Sequence, residues 1–71
     1  MIMKFKDFDI DKVTVVEYNP KSLLICEYLD KKLVREDRIN SESFDCYDEY
    51  NYYYEDMIEE LMMNNEFLGA D

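Results

Sequence analysis

The stretch Asp45–Met62, DCYDEYNYYYEDMIEELM, decides how the rest of the chain is read. With Asp45 set at 0° on a helical wheel, Tyr47, Tyr50, Tyr54, Met57, Ile58, Leu61 and Met62 fall at roughly 120° to 260°. Asp48, Glu49, Glu55, Asp56, Glu59 and Glu60 fall with Asp45 between roughly 280° and 60°. The two arcs do not overlap, so the spacing predicts one amphipathic helix. Ser41, Ser43 or Asp45 serves as its N-cap, and it fades at Asn64-Asn65. Asn51, or the weak helix propensity of Tyr52 to Tyr54, is where such a helix could split. The Tyr and Met stripe reads as ordinary core packing against a sheet.

The sheet comes from the residues before this helix. Over residues 1 to 8, Met3 and Phe5 alternate with Lys4 and Lys6, and Val13 to Tyr18 is rich in β-branched residues, so both segments read as strands. Asn19-Pro20-Lys21-Ser22 is turn chemistry, because Pro fixes φ, lacks an N–H and pushes Asn19 out of the α region. From Leu23 to Val34 the apolar residues scatter around the wheel, which excludes an amphipathic helix. Two strands at about 23 to 29 and 33 to 39 fit, joined by a hairpin turn at Asp30-Lys31-Lys32, with the first of them interior because it is apolar on both faces. The expected fold class is α+β: a four-stranded antiparallel meander or half-open small barrel with one C-terminal amphipathic helix packed on it. Glu66, Phe67, Leu68 and Gly69 either cover an open sheet edge or add a second contact.

Composition bounds the function. The chain has 71 residues, enough for a single domain spanning 1 to 71, and a formal charge of −10. A domain of this size buries only roughly 60% of the surface its unfolded chain exposes, which leaves no room for an internal cofactor cavity. A hydrophobic fraction of 48% and 7 Tyr with 4 Phe are too high for a disordered acidic tail. There is no His, which removes the usual neutral-pH general base and the commonest metal ligand. The carboxylates form an exposed run with no apolar pocket to separate their pKa values, and Cys46 sits beside Asp45 and Asp48, which disfavours a thiolate. No enzyme activity, cofactor or catalytic residue is expected.

Asp7-x-Asp9-x-Asp11 opens like a Ca²⁺-binding EF-hand loop, then departs from it. Lys12 stands where that loop needs Gly, and Tyr18 where it needs Glu, so no metal site is expected. Two cysteines, Cys26 and Cys46, cannot make a multi-bridge framework and are expected as free thiols, a single bridge between them being the alternative. The opening MIMKFKDFDID has no apolar h-region of a signal peptide, and no apolar run approaches the roughly 18 to 20 residues that span a bilayer. A cytoplasmic protein without membrane contact is expected. Nothing in the sequence specifies an oligomeric state.

Charge is divided along the chain. Residues 1 to 40 hold 8 basic and 8 acidic side chains and are neutral, whereas residues 41 to 71 hold 10 acids and no Lys or Arg. Like charges at i,i+4 (Asp45 with Glu49, Glu55 with Glu59, Asp56 with Glu60) each destabilise an isolated helix by roughly 0.2 to 0.5 kcal/mol. A uniform sign that is tolerated at this cost points to an interaction surface. Seven acids between positions 45 and 60 span about 22 Å of helix axis, roughly one charge per 3.2 Å, against a phosphate about every 3.4 Å on one DNA strand. Tyr52 lies inside the acidic arc, where packing does not call for an aromatic, and can stack on an Arg guanidinium or fill a base pocket. The expected partner-binding residues are therefore Asp45, Asp48, Glu49, Tyr52, Glu55, Asp56, Glu59 and Glu60.

With its interleaved tyrosines, the segment Asp45 to Glu60 resembles in kind the small acidic proteins that phages and mobile elements use as nucleic-acid mimics: inhibitors of restriction enzymes, of CRISPR nucleases and of uracil-DNA glycosylase. Those inhibitors share no common motif, so no residue assignments carry over. The resemblance implies a stoichiometric blocker that occupies a basic DNA or RNA channel of a host defence or repair enzyme and does not itself bind nucleic acid. The alternative is an acidic immunity-like, antitoxin-like or accessory protein that binds a basic protein without mimicry.

Overall fold

The computed structural model describes residues 1–71. Strands β1 (Ile2–Asp7), β2 (Lys12–Tyr18), β3 (Ser22–Leu29) and β4 (Lys32–Asn40) form an antiparallel meander, followed by a short 3-10 turn at Ser41–Ser43. Helix α1 (Tyr47–Asn64) then crosses one face of the sheet and runs directly into β5 (Asn65–Ala70). The sheet has five strands in the order β4-β3-β2-β1-β5, with β3 interior as its two apolar faces demand.

Alternation along each strand sorts the two faces. The pairings Met3↔Val16, Phe5↔Thr14, Val16↔Ile25 and Leu23↔Ile39 line up one apolar face, onto which α1 sets Tyr50 and Ile58. Phe5, Val16, Leu23 and Tyr50 are completely buried. The other face, with Lys4, Val15, Cys26 and Glu36 across one row, is covered by no element. Cys26 is therefore on the far side of the sheet from the exposed Cys46 at the start of α1, and both thiols are free.

The fold is α+β as expected, and the four-stranded meander is present as β1 to β4, but the strand count is corrected to five in an open sheet that is not a half-open barrel, because β5 pairs with the free edge of β1 while β4 stays at the opposite edge. Residues 41 to 71 thus hold the 3-10 turn, α1 and β5. Of the two readings for residues 66 to 69, edge cover is the one realised. Pairing shifts register between Lys4 and Phe5, leaving Leu68 as an extra residue, and Gly69 beside it adopts φ 143°, a conformation side chains disfavour.

The turns follow local chemistry. Asn19 Oδ1 accepts the Lys21 and Ser22 N–H groups at 2.9 and 3.0 Å, closing the β2–β3 turn as an Asx-turn. Asp7 Oδ1 accepts the Asp9 and Ile10 N–H groups in the same way, and these bonds, first among its causes, hold its carboxyl below the usual carboxylate range. In the β3–β4 hairpin, Asp30 and Lys31 have φ of 50° and 69°, a two-residue type I′ turn. Asp tolerates this conformation, whereas Lys does not favour it. Lys31→Gly is expected to raise stability by about 1 kcal/mol, read as a thermal midpoint about 4 to 8 °C higher. An unchanged midpoint would show the turn to be unstrained.

Candidate functional site: the outer face of α1

Local packing fixes where α1 begins. Phe44 packs its ring 5.6 Å from those of both Tyr50 and Tyr53, and its N–H bonds the Ser41 carbonyl at 3.2 Å. The chain before the helix is thereby held in a turn, so α1 starts at Tyr47 with an extended Cys46 as N-cap that makes no side-chain bond. Neither Ser41, Ser43 nor Asp45 caps it, which corrects the expected start. At the other end the helix reaches Asn64, two residues past Met62. There the Asn64 and Asn65 side-chain amides donate to the Glu60 and Leu61 carbonyls at 3.1 and 3.0 Å, tying both side chains back onto the last turn. The helix runs without a break through Asn51 and Tyr52–Tyr54.

A tyrosine stack anchors the inner face. Tyr18 of β2 stacks 3.9 Å from Tyr54 and 5.5 Å from Tyr50 between ring centroids. The Tyr50 hydroxyl donates to the Asn19 carbonyl at 2.7 Å, tying the helix to the β2–β3 turn, and the Tyr18 hydroxyl donates to Asn51 Oδ1. Burial, first, and the neighbouring Tyr47 hydroxyl push the Tyr18 phenol up to about 12, and burial raises Tyr50 and Tyr54 as well.

These shifts set an alkaline limit on the fold. Below pH 10 the phenols are neutral in both states and nothing is lost; above it the unfolded chain releases protons that the native stack retains. Stability is expected to fall as pH rises from 10 to 12, and Tyr18→Phe should flatten that fall. Thermal melts across this window, with tyrosinate absorbance followed in parallel, check both. Titration of all tyrosines at their ordinary pKa while the helix stays intact would contradict it.

On the outer face, Asp48, Glu49, Glu55, Asp56, Glu59 and Glu60 are all exposed, and Tyr52 stands among them 75% exposed. Asp45 is exposed too, but it lies in the bend before α1 and not on its face. The helical run from Asp48 to Glu60 thus presents six carboxylates over about 18 Å, an average spacing of about 3.6 Å. Asp48 and Glu49 lie in the first turn, where the helix dipole favours them, whereas no basic side chain accompanies the last turn. All ion pairs of the protein lie among Lys12, Glu27, Arg35 and Asp37, away from the helix. No Lys or Arg of the first 40 residues neutralises the acidic face.

Beside this strip runs a feature that residue spacing did not expose. A groove of about 500 Å³ lies between the start of β1 and the second half of α1, walled by Met1, Met3, Met62 and Met63 with Tyr54 and Ile58 beneath. Glu55 and Glu59 form its margin. The Tyr54 hydroxyl points at the Met1 and Met3 sulfurs, 3.7 and 3.5 Å away. Met63 offered the one sequence signal: on the helical wheel it falls inside the acidic arc, as Tyr52 does, and it is 75% exposed. The contribution of Met1 and Met3 depends on β1 lying alongside the helix, which no local pattern encodes.

No protein-family model, curated protein or solved structure matches this chain.

Proposed function

We propose that this protein is a stoichiometric inhibitor that imitates a nucleic-acid backbone and blocks the basic DNA- or RNA-binding channel of a host defence or repair enzyme, acting in the cytoplasm of the host cell. The observation that carries the reading is the row of carboxylates along an unbroken, exposed helix face with no internal cation paired to any of them. A rigid row of this spacing can take the place of phosphates in a groove of Lys and Arg and release the same counterions. Asp48, Glu49, Glu55, Asp56, Glu59 and Glu60 make those contacts, Asp45 adds one from the preceding bend, and Tyr52 stacks on a guanidinium or enters a base pocket. The protein itself carries no reaction and no cofactor.

The decisive experiment is competition. A partner retained on the immobilised protein should be eluted by duplex DNA or by RNA at concentrations that saturate the partner's own channel. Affinity should also drop steeply between about 50 and 200 mM salt, by roughly 10³-fold or more if six charges are engaged. A partner that binds nucleic acid and this protein simultaneously would overturn mimicry. That outcome would favour a neutraliser of the immunity or antitoxin kind, a reading to which the apolar groove beside the acidic strip gives independent support.

A further inference from the structure

Resting on the reading that the partner is a basic protein, we infer that the methionine groove seats a bulky apolar side chain which that partner presents among its lysines and arginines, on a basic amphipathic segment. Several observations converge on this occupant. The volume of about 500 Å³ is within the range of sites that enclose ligands of a few side chains' size. Its walls are thioethers, whose unbranched, polarizable chains mould to different apolar shapes, and such walls recur where amphipathic helices are received. Ile58 at its base is nearly buried, whereas Met62 and Met63 are 45% and 75% exposed, so the groove has a fixed floor and adaptable sides.

Charge selects among possible occupants. Glu55 and Glu59 border the groove, and α1 holds no basic residue. A second copy of the chain would bring the same carboxylate rims together across the contact, each molecule carrying −10. Anionic lipid is repelled for the same reason. A segment that couples an apolar anchor to flanking cations satisfies both the walls and the rim at once. The helix would then read its partner in two ways, by charge along its crest and by apolar burial along one side.

Two synthetic peptides test this on the full-length protein. One is a Lys/Leu peptide patterned as an amphipathic helix; the other is a charge-matched Lys/Ser peptide with every Leu replaced. At low salt the Lys/Leu peptide is expected to bind at least about 10-fold more tightly, the gain from burying one large apolar side chain. Met62→Gln with Met63→Gln should remove that preference and leave Lys/Ser affinity unchanged, with folding confirmed by circular dichroism, since both side chains are exposed and Gln is a good helix former.

Equal affinity for the two peptides, or a preference that survives the double substitution, would overturn the groove and leave the acidic-strip reading standing. Binding of Lys/Leu with none of Lys/Ser would keep the groove and dismiss the strip. Failure of both peptides would dismiss both. Self-association of the wild type that the double substitution abolishes would assign the groove to a second copy and overturn the proposal.

Discussion

Tyr50→Ala is expected to remove a large part of the stability of the fold. Tyr50 is completely buried, packs against Tyr18, Phe44 and Tyr47, and donates its hydroxyl to the Asn19 carbonyl. Truncating a buried aromatic to Ala costs about 3 to 5 kcal/mol. A domain of 71 residues has only about 4 to 11 kcal/mol in total. The loss falls on the contact that fastens the helix to the sheet, so cooperative urea unfolding should shift to much lower denaturant or vanish. Tyr50→Phe separates the hydroxyl from the ring: it keeps the packing, costs about 1 kcal/mol and lowers the thermal midpoint by about 4 to 8 °C. A Tyr50→Ala protein within about 1 kcal/mol of wild type would mean that α1 is held elsewhere.

Reversal of Asp48, Glu55 and Glu59 to Lys should have the opposite profile, with the fold intact and binding gone. All three side chains are exposed and unpaired, and three reversals of +2 each move the net charge from −10 to −4, which relieves self-repulsion. Close charge pairs across complementary interfaces are worth about 1.5 kcal/mol or more each, so losing three weakens binding by about 10³-fold before any new repulsion is counted. Residual affinity of the reversed protein should lose most of its salt dependence. Unchanged affinity in a protein shown to be folded would remove the acidic face from the interface.

Far from the helix, Glu27 illustrates why the sign of α1 draws notice. It meets Lys12 at 3.5 Å and the Arg35 guanidinium at 3.4 Å, so two cations of the front half are paired within the molecule while no carboxylate of the helix is. Exposed pairs of this kind add little stability. Their presence in one half and absence from the other leaves the carboxylates of the helix without an internal cation.

Much of this architecture was legible in residue spacing. Period-two alternation at Met3 to Lys6, the Asn19-Pro20 turn and the hairpin expected at Asp30-Lys31-Lys32 each rest on interactions within a few residues, and all are found, the hairpin one residue tighter because Lys32 already belongs to β4. Of the stripe Tyr47, Tyr50, Tyr54, Met57, Ile58, Leu61 and Met62, Tyr50 and Ile58 became core with Tyr54, Met57 and Leu61 packed against it, whereas Tyr47 and Met62 stay about half exposed. The helix start was not legible, because Phe44 fixes it by packing on Tyr50 and Tyr53. Strand β5 was not legible either, since Asn65 to Ala70 is short, interrupted by Gly69 and without apolar–polar alternation, and becomes a strand only by pairing with β1.

The linear order of residues by itself determined the helix period, the alternating strands, the turns and the separation of charge into a neutral half and an acidic one, because each depends on neighbours in the chain. Only the tertiary structure decided that the sheet stays open with a fifth strand at its edge, that Cys26 and Cys46 lie on opposite sides of it, and that four methionines from the two ends of the chain share one groove. Those outcomes depend on which distant segments meet when apolar faces are buried together, and no period within a single segment records that choice.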